Sequence, residues 1–286
     1  MSVRPFFDIP LAGGQVLELG RRPLVMGILN ITPDSFGDRR PLDRRSAVEA
    51  ALAMEGQGAD LIDIGGEYTR PGADPVDAKT ELERVMPVIE GLQGRLRIPI
   101  SVDTYKAAVA DKAIEAGAHM VNDVSGLLYD PPLAEVVARR GAALVLMHTR
   151  GRSKDMYGKA EYANVIGEVT AELRERIEAA IAAGVPRAAI LADPGVGFAK
   201  RPVHSYGVLA RLPEIAAALD RPLLVGPSRK SFLRDAAGGA EAPARDWPTA
   251  AAVTAAVLGG AHIVRVHAVA EMVQVVRAAE QIFQAR

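Results

Sequence analysis

The sequence predicts an α/β protein, a (β/α)8 TIM barrel preceded by an N-terminal β-hairpin, and three observations lead there. Short, nearly charge-free apolar runs alternate with amphipathic helical stretches along the whole chain, the signature of strands buried on both faces of a parallel sheet. Eight such units follow one another at about 30 residues each with no linker between them, which favours a closed barrel over an open sheet. Each apolar run ends in polar residues, so the chemistry collects at the strand C-termini. All 286 residues are expected to form one domain.

The elements follow in order. Phe6–Leu19 alternates loosely around Gly13-Gly14 and reads as the hairpin. Leu24–Leu29 is the first barrel strand, and Asn30 opens the turn Thr32-Pro33-Asp34-Ser35. Ser46–Gln57 follows as a helix with Gly58 as its C-cap. Ala59–Gly65 is the second strand. Leu82, Val85, Met86 and Ile89 form a helical stripe, with a kink expected at Pro87. Ile98–Thr104 and His119–Val124 are strands three and four, backed by helices Ala107–Ala116 and Leu133–Arg140. Ala143–Thr149 is the fifth strand, and Val165, Val169, Leu173, Ile177 and Ile181 mark the long helix after it. Ala189–Gly195 leads to a helix over Tyr206–Leu219, and Pro222–Ser228 to a loop over 235–248 and a small-residue helix, Thr249–Leu258. His262–His267 and the helix Val269–Phe283 close the count.

Composition narrows the function. Lys and Arg number 34 against 35 acidic residues, a net charge of -1 without long runs of one sign, which argues against a nucleic-acid or membrane-surface protein. The absence of cysteine excludes disulfides, thiolate catalysis and Cys-ligated metals. No apolar run reaches about 18 residues, and the N-terminus lacks a continuous apolar signal region, so a soluble, cytoplasmic protein is expected.

The strand ends carry Asn30, Asp63, Asp103, Asn122 with Asp123, His148, Asp193, Ser228 with Lys230, and Arg265 with His267. A polar residue at one strand end is ordinary turn chemistry; a polar group at every end, several inside the apolar run, points to a shared site at the barrel mouth. The acceptors Asp103 and Asp193 and the amide of Asn122 suit a ring with several N–H donors and a carbonyl. Arg265 and His267, two apart on one strand face, join Arg229 and Lys230 where barrels often bind phosphate. A structural hydrogen-bonding role for His267 and a solvated loop charge at Arg229 or Lys230 stay open on these grounds. No His pair at i, i+4 marks a dedicated transition-metal site. A Mg²⁺ held mainly by a substrate diphosphate needs few protein ligands, and Asn30 offers one oxygen.

GILNITPDSF (27–36), IDIGGEYTRPGA (62–73), SVDTYK (101–106), VNDVSG (121–126), LADPGVGFAK (191–200), LLVGPSRKSF (223–232) and IVRVH (263–267) resemble, in order, the motifs of the dihydropteroate synthases, a pterin-binding barrel family. The resemblance runs from about residue 5 to the end of the chain. It implies condensation of 6-hydroxymethyl-7,8-dihydropterin pyrophosphate with p-aminobenzoate, releasing pyrophosphate. By the same resemblance Asp103, Asn122, Asp193 and Lys230 hold the pterin, with Phe198 beside both substrates. Asn30, Arg70, Arg265 and His267 engage Mg²⁺ and pyrophosphate, while Thr69, Pro71, Ser228 and Arg229 border the aminobenzoate. Asp103, Lys230, Arg265 and His267 are the expected catalytic residues. A homodimer is also implied.

Four departures from the family pattern stand out, several of them in loops expected to order around the second substrate: Gly37-Asp38-Arg39-Arg40-Pro41 in place of SDGG, Tyr68 and Tyr105 in place of serines, and Pro227 before Ser228. Two other readings share the barrel. A methyltetrahydrofolate-dependent methyltransferase has no need of the TRPG loop or the cationic SRK and RVH groups. A catalytically silent pterin-binding paralogue accommodates altered loops with intact ring contacts.

Overall fold

The structure, a computed structural model, describes residues 4–32, 43–68 and 72–285. Strands β1 (Phe7–Pro10) and β2 (Val16–Leu19) pair antiparallel as the expected hairpin, and their connection turns through Gly13 and Gly14 at φ 81° and 79°. Those left-handed values disfavour any residue with a Cβ. The barrel strands are β3 (Leu24–Asn30), β4 (Leu61–Gly65), β5 (Ile100–Asp103), β6 (Met120–Asp123), β7 (Ala143–Met147), β8 (Ile190–Asp193), β9 (Leu224–Val225) and β10 (Ile263–Val266). They run parallel in the order β8-β7-β6-β5-β4-β3-β10-β9, and a parallel bridge between Ala192 and Leu223 joins the two edges and closes the barrel.

The helices between them are α1 (Arg44–Gly56), α2 (Ala78–Leu92), α3 (Ala107–Glu115), α4 (Leu133–Arg140), α5 (Val165–Ala182), α6 (Pro202–Ala210), α7 (Leu212–Leu219), α8 (Asp246–Leu258) and α9 (Val269–Gln284). Side-chain caps set three of their starts. Asp43 accepts from Ser46 N at 2.7 Å, Asp77 from Thr80 N at 2.7 Å, and Asn164 from Gly167 N at 3.2 Å.

Two expectations change. The stretch expected as one helix over Tyr206–Leu219 is two, α6 and α7, divided at Arg211. Pro213 has no N–H for Leu209 to accept and its ring would meet that carbonyl, so the helix restarts with Pro213 in its first turn. The loop over 235–248 contains two short 3-10 turns, and α8 already begins at Asp246. Helix α2 continues through Pro87 as one element.

Inside the barrel, strand alternation sorts the side chains by height. Leu24, Met26, Leu61, Met120, Val145, Leu191 and Ile263 fill the lower layers, and Ile9, Leu11 and Leu19 of the hairpin pack beneath them as a plug. Each plug residue is at most 3% exposed, so each contributes about 1.5–3 kcal/mol of apolar burial. With the bottom sealed, the polar upper layer faces only the mouth. Among the described residues, no helix is long and apolar enough to cross a membrane.

Candidate active site

The upper layer is set by register. Asp63 on β4 lies beside Ser101 on β5, and Asp103 beside Asn122 on β6, so these inward positions place Asp63, Asp103 and Asn122 against one another. Asn122 Nδ2 donates to Asp63 Oδ2 at 3.0 Å. From β10, Arg265 Nε donates to the same oxygen at 2.5 Å, and its Nη2 to Asp103 Oδ2 at 2.7 Å. The network is buried, with side-chain exposures of 16%, 0% and 9% for Arg265, Asp63 and Asp103. Burial raises the Asp103 carboxyl to about 7, against the attraction of Arg265 and with the repulsion of Asp63. Arg265, expected as an anion contact, is thus also part of the carboxylate layer. Its Nη1 has no hydrogen-bond partner among the described residues.

Asn30 ends β3, opposite Gly65. Its Oδ1 lies 3.4 Å from where a Gly65 Cβ would sit, and Asp103 Cβ at the same distance, so Gly65 keeps the space between them open. Asp123, one residue beyond Asn122, faces the other way. Its carboxylate accepts from Ser125 N at 2.7 Å and Leu127 N at 2.5 Å and staples the turn after β6, where Leu127 has φ 68°. Period-2 alternation separates the two neighbours: Asn122 belongs to the site and Asp123 to its scaffold.

Asp193 ends β8. Gly195 N donates to its Oδ1 at 2.7 Å, and burial raises its pKa while Lys230 pulls it back. Lys230 donates to Val196 O at 2.8 Å and rides 4.3 Å from the Phe198 ring centroid. Burial lowers this ammonium to about 8, against the pull of Asp193. A Cβ on Gly197 would stand 2.9 Å from Lys230 Cδ, so a glycine is needed where the lysine passes. Asp193, Phe198 and Lys230 therefore form one constellation facing the Asp103–Asn122 side.

Ser228 and His267 meet: Ser228 Oγ lies 2.9 Å from His267 Nδ1 and accepts from His267 N at 3.2 Å. Arg229 is held by Asp246. At φ 57° it forms a two-pronged ion pair with Asp246, both N···O distances 2.7 Å, tying the loop after β9 to the start of α8. Thr69, Arg70 and Pro71 lie outside the described residues, as does the 37–41 loop. Tyr105 is buried; its hydroxyl donates to Glu67 at 2.9 Å, and its ring meets Tyr129 edge-on at 5.0 Å. With Val124, Met156 and Phe198 these rings wall a cavity of about 310 Å³ beside the polar constellation.

Sequence reasoning passed over Asp63 as a site residue and missed Lys200 and Glu172. Asp63 stands among the polar strand ends, and its inward register was the available signal. Lys200 sits in LADPGVGFAK, but nothing in the sequence says that a lysine there is 1% exposed.

The profile of the pterin binding enzyme family matches residues 26–267. The dihydropteroate synthase of Synechocystis sp. is 43% identical over 98% of this chain and 97% of its own. The chain belongs to the dihydropteroate synthase family. Two solved members of that family superpose with TM-scores of 0.89. One is the Yersinia pestis dihydropteroate synthase in complex with a sulfonamide drug, 40% identical over 96% of this chain and 98% of that one. The other is the Xanthomonas albilineans dihydropteroate synthase with 4-aminobenzoic acid, 41% identical over 98% and 99%. The mouth of this family member is thus built from polar ends of nearly every barrel strand.

Proposed function

We propose that the protein condenses 6-hydroxymethyl-7,8-dihydropterin pyrophosphate with p-aminobenzoate to give 7,8-dihydropteroate and pyrophosphate, a transferase step of folate synthesis. The observation that carries this is the facing of Asp193 and Lys230 across the mouth from Asp103, Asn122 and Arg265. Asp193 accepts from ring N–H groups of the pterin, and the Asn122 amide serves as donor and acceptor to the ring edge. The Lys230 ammonium retains donors for a ring carbonyl. Phe198 lies where its ring borders both substrates.

In the reaction the bond from the pterin methylene carbon to the diphosphate oxygen breaks, and the aminobenzoate nitrogen bonds to that carbon. The nitrogen loses one proton and the diphosphate leaves with the electron pair. No protein nucleophile is required. In its ionised form, held by Arg265, Asp103 stabilises positive charge spread over the pterin as the diphosphate departs. Arg265 Nη1 and His267 receive the leaving anion. Arg70 adds to that contact, and Thr69, Pro71 and Ser228 border the aminobenzoate. Arg229 acts through its ion pair with Asp246, fixing Ser228 next to it.

Among the described residues there is no cluster of three or more His, Asp or Glu side chains able to cage a metal. A diphosphate-borne Mg²⁺ fits this donor set, with Asn30 Oδ1 at the open Gly65 rim supplying one oxygen. When bound, the ion offsets the charge of the diphosphate. A homodimer is proposed through α8, where Trp247, 88% exposed, continues as a stripe into exposed Ala251 and Ala255. Sedimentation velocity tests it. The protein is proposed to work in the cytoplasm. The deciding assay for the activity is pyrophosphate release from the pterin diphosphate with and without p-aminobenzoate: release dependent on the amine supports the synthase, and its absence returns the silent paralogue.

A further inference from the structure

The loop from Asp193 to Phe198 is gripped from two sides by lysines. Lys230 holds Val196 O from the mouth. From the opposite side Lys200, buried beneath the loop, places Nζ 2.8 Å from His148 Nδ1, 3.1 Å from Gly195 O and 3.2 Å from Phe198 O. The Glu172 carboxylate needs the proton of His148 on Nε2, so Nδ1 is left as an acceptor and Nζ donates all three contacts as an ammonium, although burial pushes its pKa well below the usual lysine value. Burial opposes that charge and Asp193 supports it. With Nδ1 accepting, the His148 proton sits on Nε2, which donates to Glu172 Oε2 at 3.1 Å. Glu172 is in turn paired with Arg150, 3.0 Å from Nε to Oε1.

The residues that Lys200 holds are the ones that aim the site. Gly195 gives its N–H to Asp193 and its carbonyl to Lys200. The backbone of His148 completes the clamp, its N–H donating to Asp193 O at 2.8 Å. At φ 67° Gly195 lies so close to β7 that a Cβ would stand 2.0 Å from His148 O. Phe198, whose ring lies under Lys230, is fixed through its own carbonyl. Lys200, 1% exposed, is packed under the loop and acts through these two residues.

We infer that Lys200, oriented by His148 and Glu172, is a positioning residue that locks the 193–198 loop so that Asp193 and Phe198 meet the pterin in a fixed geometry. The inference rests on the reading of Asp193 and Phe198 as pterin contacts. The test compares Lys200→Met, His148→Leu and His148→Gln with Arg4→Met, which breaks the buried Arg4–Glu280 pair away from the mouth. All are measured well below their melting temperatures. Pterin diphosphate affinity by calorimetry should fall tenfold or more in Lys200→Met and His148→Leu, and less than threefold in Arg4→Met. His148→Gln, which keeps an acceptor and a donor, should stay within threefold of the parent. In the ligand-free protein, the amides of Gly195, Gly197 and Phe198 should exchange at least tenfold faster in Lys200→Met than in Arg4→Met. That arm judges the clamp without ligand, so a parent protein that binds no pterin would defeat the functional reading alone. Unchanged exchange, or lost protection with unchanged pterin affinity, would overturn the positioning role. Should Lys200→Met not fold, His148→Leu decides on the same two readouts.

Discussion

Arg265 reaches across the barrel mouth from β10 and donates through Nη2 to Asp103 Oδ2 on β5 at 2.7 Å. Its Nε holds Asp63 at 2.5 Å, so one guanidinium pairs with two carboxylates that face the same enclosed space. The group proposed to bind the anion and the carboxylate proposed to face the ring are therefore one unit.

That coupling predicts a double effect of Arg265→Ala. Pyrophosphate and the pterin diphosphate should both bind more weakly, and the fold should lose about 3–5 kcal/mol because Asp63 is left buried without a counter-charge. Adding Asp63→Asn should return a large part of the stability without returning pyrophosphate affinity. Urea unfolding and calorimetry read the two separately; equal losses of stability in the single and double variants would place the cost elsewhere.

Asp103 gives a signed pH dependence. Its folded pKa is raised from 3.8 to about 7 by burial, so the folded state holds the proton more tightly than the unfolded chain. The associated stability is fully present below about pH 4 and is lost as pH rises through about 7. Asp103→Asn cannot ionise. The parent should thus lose stability relative to the variant between pH 4 and 7, and run parallel to it above. A difference that grows in the opposite direction would show that Arg265 outweighs burial.

Asp193→Asn keeps an oxygen for the Gly195 N–H and removes the charge. Pterin affinity should drop by about 1.5–3 kcal/mol, the worth of a charged hydrogen bond, with little change in melting temperature. Calorimetry with a pterin lacking the diphosphate isolates the ring contact; an unchanged dissociation constant would remove Asp193 from ring recognition.

Lys230, lowered to about 8 by burial, should lose its proton in the ligand-free protein within an accessible range. Affinity for the anionic pterin diphosphate, and kcat/KM with it, should decline as pH rises through about 8. In Lys230→Met the residual activity should be lower and lack that alkaline limb. Persistence of the limb in the variant would assign it to another group.

Gly195→Ala should be among the most damaging single substitutions in the barrel. The added Cβ would lie 2.0 Å from His148 O on a backbone at φ 67°, and left-handed strain alone costs about 1–2 kcal/mol. Circular dichroism melts, compared with Gly197→Ala, measure it.

The strand-helix rhythm, the hairpin and the inventory of polar strand ends were readable from the sequence, because each depends on local periodicity or on the residue type at the end of an apolar run. Asp103, Asn122, Asp193 and Lys230 were found that way. The division of α6 from α7 was legible in principle in Pro213, although the apolar stripe around it concealed the break. Closure of the barrel fixed everything that depends on distance between strands. Asp63 and Arg265 are 202 positions apart in sequence, yet β10 lies next to β3 and β3 next to β4, so they meet inside the ring. Arg229 looked like a mouth cation until α8 brought Asp246 to it. Lys200 closes the LADPGVGFAK motif and drew no reading of its own. Its burial, which forces it onto His148 and two carbonyls, exists only because β7 and β8 are paired and the loop folds back over them. A sequence states which groups are available; which of them are shut away from water, and so must find partners, is decided by the packing of the whole chain.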